Sequence, residues 1–132
     1  MPVRWAAFHS TRMVEITFAG VIRRQDMDDC ADGIMTPATL SYRKLVDLRR
    51  SSLALSPADV AGLADRVRAH NRDRALGAVA FVSHGDEQQS RLFEALSAAA
   101  DRPLKVFSDP QAARDWLDAA PSNVGDADTV AA

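Results

Sequence analysis

Ala75-Leu76-Gly77-Ala78-Val79-Ala80-Phe81-Val82 is the longest apolar run in the chain, and Ser83-His84-Gly85-Asp86 follows it at once. The run is far short of the roughly 20 residues needed to cross a membrane. A short apolar stretch closed by turn residues reads as a strand buried on both faces, here Gly77–Val82. Downstream, Asp86–Ala100 sets Leu92, Phe93, Leu96 and Ala99 or Ala100 on one helical stripe. Leu104–Phe107 is a second short strand, and Asp109 to about Ala119 a last helix whose stripe is Ala113, Trp116 and Leu117. Strand, helix, strand, helix implies parallel strands covered by helices.

The alternation continues upstream. Ser56-Pro57-Ala58-Asp59 is a strong helix start, because serine accepts from the free amides, proline fits the first turn and Asp59 suits the reciprocal cap. Val60, Leu63, Ala64 and Val67 line the helix that follows, which fades near Asn71. Tyr42–Leu48 is predicted as a strand, and Arg49–Leu55 as the loop joining it to that helix. Gln25–Met35 reads as a surface helix, with Met27, Cys30, Ala31, Ile34 and Met35 inward and Asp26, Asp28, Asp29 and Asp32 mostly outward. The first residues alternate as Val3, Trp5, Ala7 and again as Val14, Ile16, Phe18 across the polar His9-Ser10-Thr11-Arg12, a hairpin signature that Gly20 is expected to close. The predicted fold is therefore α/β, one domain over residues 1–119. Its mixed sheet has four or five strands, an N-terminal hairpin with parallel strands after it, and about four flanking helices. Residues 120–132 lack an apolar period and are expected to be a disordered tail.

Composition excludes several functions. The chain has 16 Lys and Arg against 18 Asp and Glu, and two of the acids, Asp126 and Asp128, lie in the tail. A balanced body provides no basic field for nucleic acid. One cysteine, Cys30, allows no intrachain disulfide, and the N-terminal residues lack the apolar core of a signal peptide, so the expectation is a cytoplasmic protein without a membrane span.

The candidate chemistry is sparse. His9, His70 and His84 have no metal-ligand spacing, so neither metal nor cofactor is implied. Asp28 and Asp32 stand one helical turn apart on an exposed face, where a helix N-terminus favours acids in any case. Cys30 lies on a buried stripe and reads as a small hydrophobe. Arg49, Arg50, Arg66, Arg68, Arg72 and Arg74 form the one basic concentration, diluted by Asp65 and Asp73. More informative are the carboxyl ends of the parallel strands, where ligands of such sheets bind. There Arg49, Arg50, Ser51, Ser52, Ser83, His84 and Ser108 form a rim beside helix N-termini, fit for a protein partner or a small anion. An enzyme reading would rest on His84 and these serines, without the Gly-x-Ser-x-Gly turn of a hydrolase. A small-ligand carrier would need Trp5, Phe8, Phe18, Phe93 or Trp116 around a pocket instead of in the core. The first hairpin strand, as a sheet edge, offers a route to a homodimer.

Ser90-Arg91-Leu92-Phe93-Glu94-Ala95-Leu96, and then Leu104-Lys105-Val106-Phe107-Ser108-Asp109-Pro110-Gln111-Ala112-Ala113-Arg114-Asp115-Trp116-Leu117, resemble the small bacterial STAS-like proteins. These belong to the STAS/SEC14 type and are related in fold to anti-sigma-factor antagonists. Gly20 and Leu45-Val46-Asp47-Leu48 agree, and the resemblance spans most of residues 3–118. It implies a four-to-five-stranded sheet flanked by helices, and a non-enzymatic role in protein interaction, regulation or small-ligand binding. In the antagonists a serine at a helix start is phosphorylated, and the spacing from Asp47 brings that position to Ser56. Here Leu55 stands in place of the family's acid, and Pro57-Ala58 in place of its Ser-Gly.

Overall fold

A computed structural model describes residues 2–73, 77–99 and 103–119, with only the backbone of residues 70–73. The expected tail and the side chains of His70, Arg72 and Arg74 lie outside the described residues. The element order is β1 (Val3–Phe8), β2 (Met13–Ile22), α1 (Arg24–Ile34), β3 (Arg43–Leu53), α2 (Pro57–Asp73), β4 (Val79–Val82), α3 (Glu87–Ala99), β5 (Leu104–Phe107) and α4 (Pro110–Ala119). The strands form one mixed sheet in sequence order. The β1–β2 pair is antiparallel, and β2–β3, β3–β4 and β4–β5 are parallel.

Because the strand order never reverses, crossovers of one hand place α1, α2 and α3 on the same face. Beneath them Val14, Ile16, Phe18, Val46, Leu48, Val79 and Phe81 meet Cys30, Ile34, Leu63, Leu92 and Phe93. On the opposite face α4 packs through Ala113 and Leu117 onto Met13, Leu45, Ala78, Ala80 and Val82. The alternation in β4 follows from these two faces: bulky Val79 and Phe81 fill the deeper three-helix side, while Ala78 and Ala80 let a single helix approach closely. Gly77 precedes them because a β-carbon there would lie 2.2 Å from the Tyr42 carbonyl oxygen.

Two sequence expectations are corrected. Gly20 does not close β2, and Arg49–Leu55 is not a loop: β2 runs to Ile22 and β3 to Leu53. Ala19, Gly20, Val21 and Ile22 pair with Arg50, Ser51, Ser52 and Leu53 after a register shift between Thr17 and Ala19. The shift takes up one extra residue in β3, and Gly20, at φ +80°, supplies the backbone freedom that a side chain would oppose. The extension is stable because Ile22, Ser51 and Leu53 are buried, giving polar-looking sequence a buried side. Other boundaries differ by one or two residues, as helix and strand ends do.

Candidate functional site

The carboxyl ends of β4 and β5 open, beside the middle of β3, into a groove of about 540 Å³ lined by Arg49, Ser83, His84, Gly85, Ser90, Val106, Phe107 and Ser108. Four rim residues expected from sequence therefore meet: Arg49, Ser83, His84 and Ser108. Arg50, Ser51 and Ser52 do not line it, because the extended β3 carries them onward with β2. Ser51 turns inward and donates to the Leu48 carbonyl (2.9 Å), while Arg50 and Ser52 are exposed.

Helix starts frame the groove. Asp86 accepts from the Gln88 (2.7 Å) and Gln89 (3.1 Å) amides at the head of α3. Asp109 accepts from Gln111 (3.3 Å) and Ala112 (3.2 Å) at the head of α4. Each cap satisfies amides that would otherwise be orphaned. Gly85, at φ +90°, lets the chain turn sharply between β4 and α3 and leaves His84 exposed. Ser56 and Asp59 form the reciprocal box expected at α2: Asp59 N–H donates to Ser56 Oγ (3.1 Å) and Ser56 N–H to the Asp59 carboxylate (2.9 Å).

Under the groove lies a residue that the sequence reading passed over. Gln89 is fully buried; its amide donates to the Leu48 (3.0 Å) and Ser51 (3.2 Å) carbonyls and its oxygen accepts from Ser83 Oγ (2.6 Å). Ser83 Oγ also accepts from the Gly85 amide (3.2 Å). The serine hydroxyl is thus committed to holding the turn. The signal was present, since Gln89 sits one turn before Leu92 and Phe93 on the inward stripe of α3, and a polar residue there must bring its own partners.

Arg49 grips Asp47 with Nε (3.1 Å), Nη2 (2.8 Å) and its backbone N–H (3.0 Å). The Arg49 hydrogen bond holds the Asp47 carboxyl below its ordinary range, against a smaller opposing effect of burial. On the α4 face Arg114 clamps Glu15 through both guanidinium nitrogens (2.8 and 3.1 Å), and the Glu15 carboxyl is lowered for the same reason. Both pairs border a second cleft, of about 340 Å³, between the sheet and α4. A carboxylate whose pKa is depressed by folding adds stability above its unfolded value and loses it as pH falls through the folded value. The melting temperature should therefore drop on acidification below pH 4.5 and 3.8, the ordinary Glu and Asp values. In a Glu15→Gln/Asp47→Asn variant that drop should be shallower, as a thermal-melt series in pH would read; an unchanged slope would remove these pairs from the acid limb.

Between the three-helix layer and the sheet lies a cavity of about 120 Å³, walled by apolar side chains including Phe18, Cys30, Ile34, Leu63, Phe81 and Leu92. Burial pushes the Cys30 thiol up to about 12, so it stays a protonated, apolar wall. Met27, Met35 and Arg66 also line this cavity. Arg66 reaches across from α2 to Asp28 (3.3 Å) and Asp32 of α1. The acid pair read from sequence is thus a strap between helices. Of the five aromatics named from sequence, Phe18 lines this cavity, whereas Trp5, Phe8, Phe93 and Trp116 do not; Phe93 belongs to the core beside it.

No family model and no curated protein sequence matches the chain. Solved structures do. An uncharacterised DUF3478-family protein with a SpoIIAA-like fold from Shewanella loihica aligns with a TM-score of 0.54 at 18% identity, covering 87% of this chain and 93% of that one. The anti-sigma factor antagonist SpoIIAA, in its unphosphorylated form, aligns at 0.57 and 12% identity, covering 89% and 98%. The chain has the SpoIIAA-like, STAS-type fold. Among the described residues no helix is long and apolar enough to cross a membrane.

Proposed function

We propose that this STAS-type domain is a cytoplasmic, non-enzymatic interaction module whose protein partner docks on the rim formed by Arg49, His84 and Ser108. The observation that carries the reading is the convergence of these residues and two capped helix starts in one open groove, over a floor fixed by Ser83 and Gln89. A fixed polar floor favours recognition, because little side-chain freedom is lost on docking. The likeness to a structure described as an anti-sigma factor antagonist supports the same class. Ser56, at the head of α2, is the regulatory position of this reading. A phosphate there would displace the cap and set a dianion beside Asp59, changing the charge of the adjoining face.

Partner capture from the source cells, followed by titration of the captured protein, tests the proposal. Arg49→Glu reverses a central charge and should weaken the complex about tenfold or more, whereas Arg68→Glu, on the exposed face of α2, should leave it unchanged. Equal binding by both variants would reject the rim. Unchanged binding by Ser56→Asp, together with phosphopeptide mapping that finds Ser56 unmodified, would leave it a helix cap only.

The cavity favours a second reading, a carrier of a small ligand. Its volume approaches the roughly 150 Å³ that admits a benzene-sized molecule in other proteins. Two acids already neutralise Arg66, and the other cation of the lining, Lys44, donates to the Thr39, Leu40 and Tyr42 carbonyls, so the better guest is uncharged. A native mass spectrum of gently purified protein should then carry extra mass that vanishes on denaturation, and a clean apo mass would set the carrier aside.

A further inference from the structure

The two edges of the sheet are built differently. β5 is four residues long, begins just after Pro103 and carries Lys105, features that discourage another strand from pairing with it. β1 is longer, reads Val3-Arg4-Trp5-Ala6-Ala7-Phe8, and has neither lysine nor proline within it. All of it after Val3 is exposed, with Trp5 39% and Phe8 45% accessible.

The ladder shows which backbone groups face outward. Ala19 N–H donates to the Pro2 carbonyl (2.8 Å), and the register continues Arg4 with Thr17, Ala6 with Glu15 and Phe8 with Met13. In an antiparallel pair hydrogen-bonded and non-bonded positions alternate. Arg4, Ala6 and Phe8 therefore direct their N–H and C=O groups to β2, while those of Val3, Trp5 and Ala7 point away from it. Side chains alternate as well: Trp5 lies over Gly33 on the α1 face, and Arg4, Ala6 and Phe8 stand on the α4 face, beside the area that α4 covers.

We propose that β1 is a dimerisation strand, pairing antiparallel with β1 of a second copy about a twofold axis at Ala6, so that one sheet runs through both copies. A twofold axis normal to the sheet keeps like faces together, so opposed residues must come from the same face. Centring on Ala6 sets Trp5 opposite the partner's Ala7, a large side chain against a small one, and lets both strands exchange the outward N–H and C=O groups of those residues. It also sets Arg4 opposite the partner's Phe8, placing a guanidinium over an otherwise uncovered ring. No like charges meet, because Arg4 is the sole charged residue of the strand. Centring on Trp5 instead would oppose two indoles and leave Phe8 facing Pro2. The complementarity in size and charge is what identifies a second copy of this chain as the occupant.

Sedimentation of the full chain over a concentration series tests this. The wild type should show a reversible monomer–dimer equilibrium. At the axis the two Ala6 side chains are a close, non-bonded pair, roughly 5 Å apart. Ala6→Lys alone and Ala6→Asp alone should each weaken dimerisation about tenfold, and an equimolar mixture of the two should restore it as a heterodimer. Ala7→Pro removes an outward N–H that β2 does not use and should leave a folded monomer by circular dichroism. A wild type that stays monomeric throughout, or a dimer insensitive to all three variants, overturns the proposal. A dimer weakened by Ala6→Lys but strengthened by Ala6→Asp would place Ala6 opposite Arg4 and overturn the Ala6 axis.

Discussion

Gly77→Ala is expected to cost the domain about 4 kcal/mol of stability. The added β-carbon would lie 2.2 Å from the Tyr42 carbonyl oxygen, 2.5 Å from the Ser41 oxygen and 2.5 Å from the Tyr42 carbonyl carbon. All three are backbone atoms, so no side chain can swing aside. The Tyr42 carbonyl also accepts from the buried Lys44 ammonium (2.9 Å), and Lys44 N–H donates to the Ala78 carbonyl (2.9 Å) where β3 and β4 begin to pair. Relieving the clash would pull that start apart and unseat one of the ammonium's acceptors. Overpacking a core costs about 1–3 kcal/mol when side chains yield, and a backbone clash should exceed that, at about 4 kcal/mol. Against a typical stability of about 5–15 kcal/mol the loss is severe. Denaturant midpoints would measure it, with Gly33→Ala for comparison. There the clash is with the Trp5 ring, the end of a half-exposed side chain, and the cost should stay near 1 kcal/mol. A Gly77→Ala midpoint equal to wild type would mean that β4 does not approach the β3 entry as closely as this packing requires.

The sequence made the sheet legible wherever one period dominated. The Gly77–Val82 run, the Val14–Ile16–Phe18 alternation and the helical stripes at Leu63, Ala64 and Val67 all occupy the faces that their spacing implied. The Ser56–Asp59 box could be read because both partners lie within one turn. Residues whose burial depends on a distant partner were not legible. Arg49–Leu53 is rich in arginine and serine and reads as loop, yet it is strand because Ala19–Ile22, far away in sequence, supplies its ladder. The same blindness split the candidate rim, since only a continued β3 carries Arg50, Ser51 and Ser52 away from Arg49. Asp28 and Asp32 looked like a solvated face because Arg66, which straps them, belongs to another helix.

Gln89→Leu is expected to destabilise the domain by about 3 kcal/mol and lower its melting temperature by roughly 10 °C. Leucine nearly fills the glutamine volume, so the loss measures the amide and not a cavity. With the amide gone, the Leu48 and Ser51 carbonyls and the Ser83 hydroxyl lose buried partners, and an unpaired buried polar group costs about 1–3 kcal/mol. The three bonds are not additive, because Ser83 Oγ can turn elsewhere and the carbonyls can shift. The more telling effect is local. β4 has ended by Val82, so among the described residues the β3 extension gains its tie to the α3 side through Gln89. Releasing it should raise hydrogen exchange at the Arg50–Leu53 amides and the Ser83–Gly85 turn more than in the β1–β2 ladder. If the rim docks a partner, the same variant should weaken that complex although Arg49 and His84 are untouched, because the floor beneath them no longer holds one shape. A Gln89→Leu protein as stable as wild type, with unchanged exchange across β3, would show that apolar packing alone maintains the extension, and would move the rigidity of the rim to the paired sheet itself.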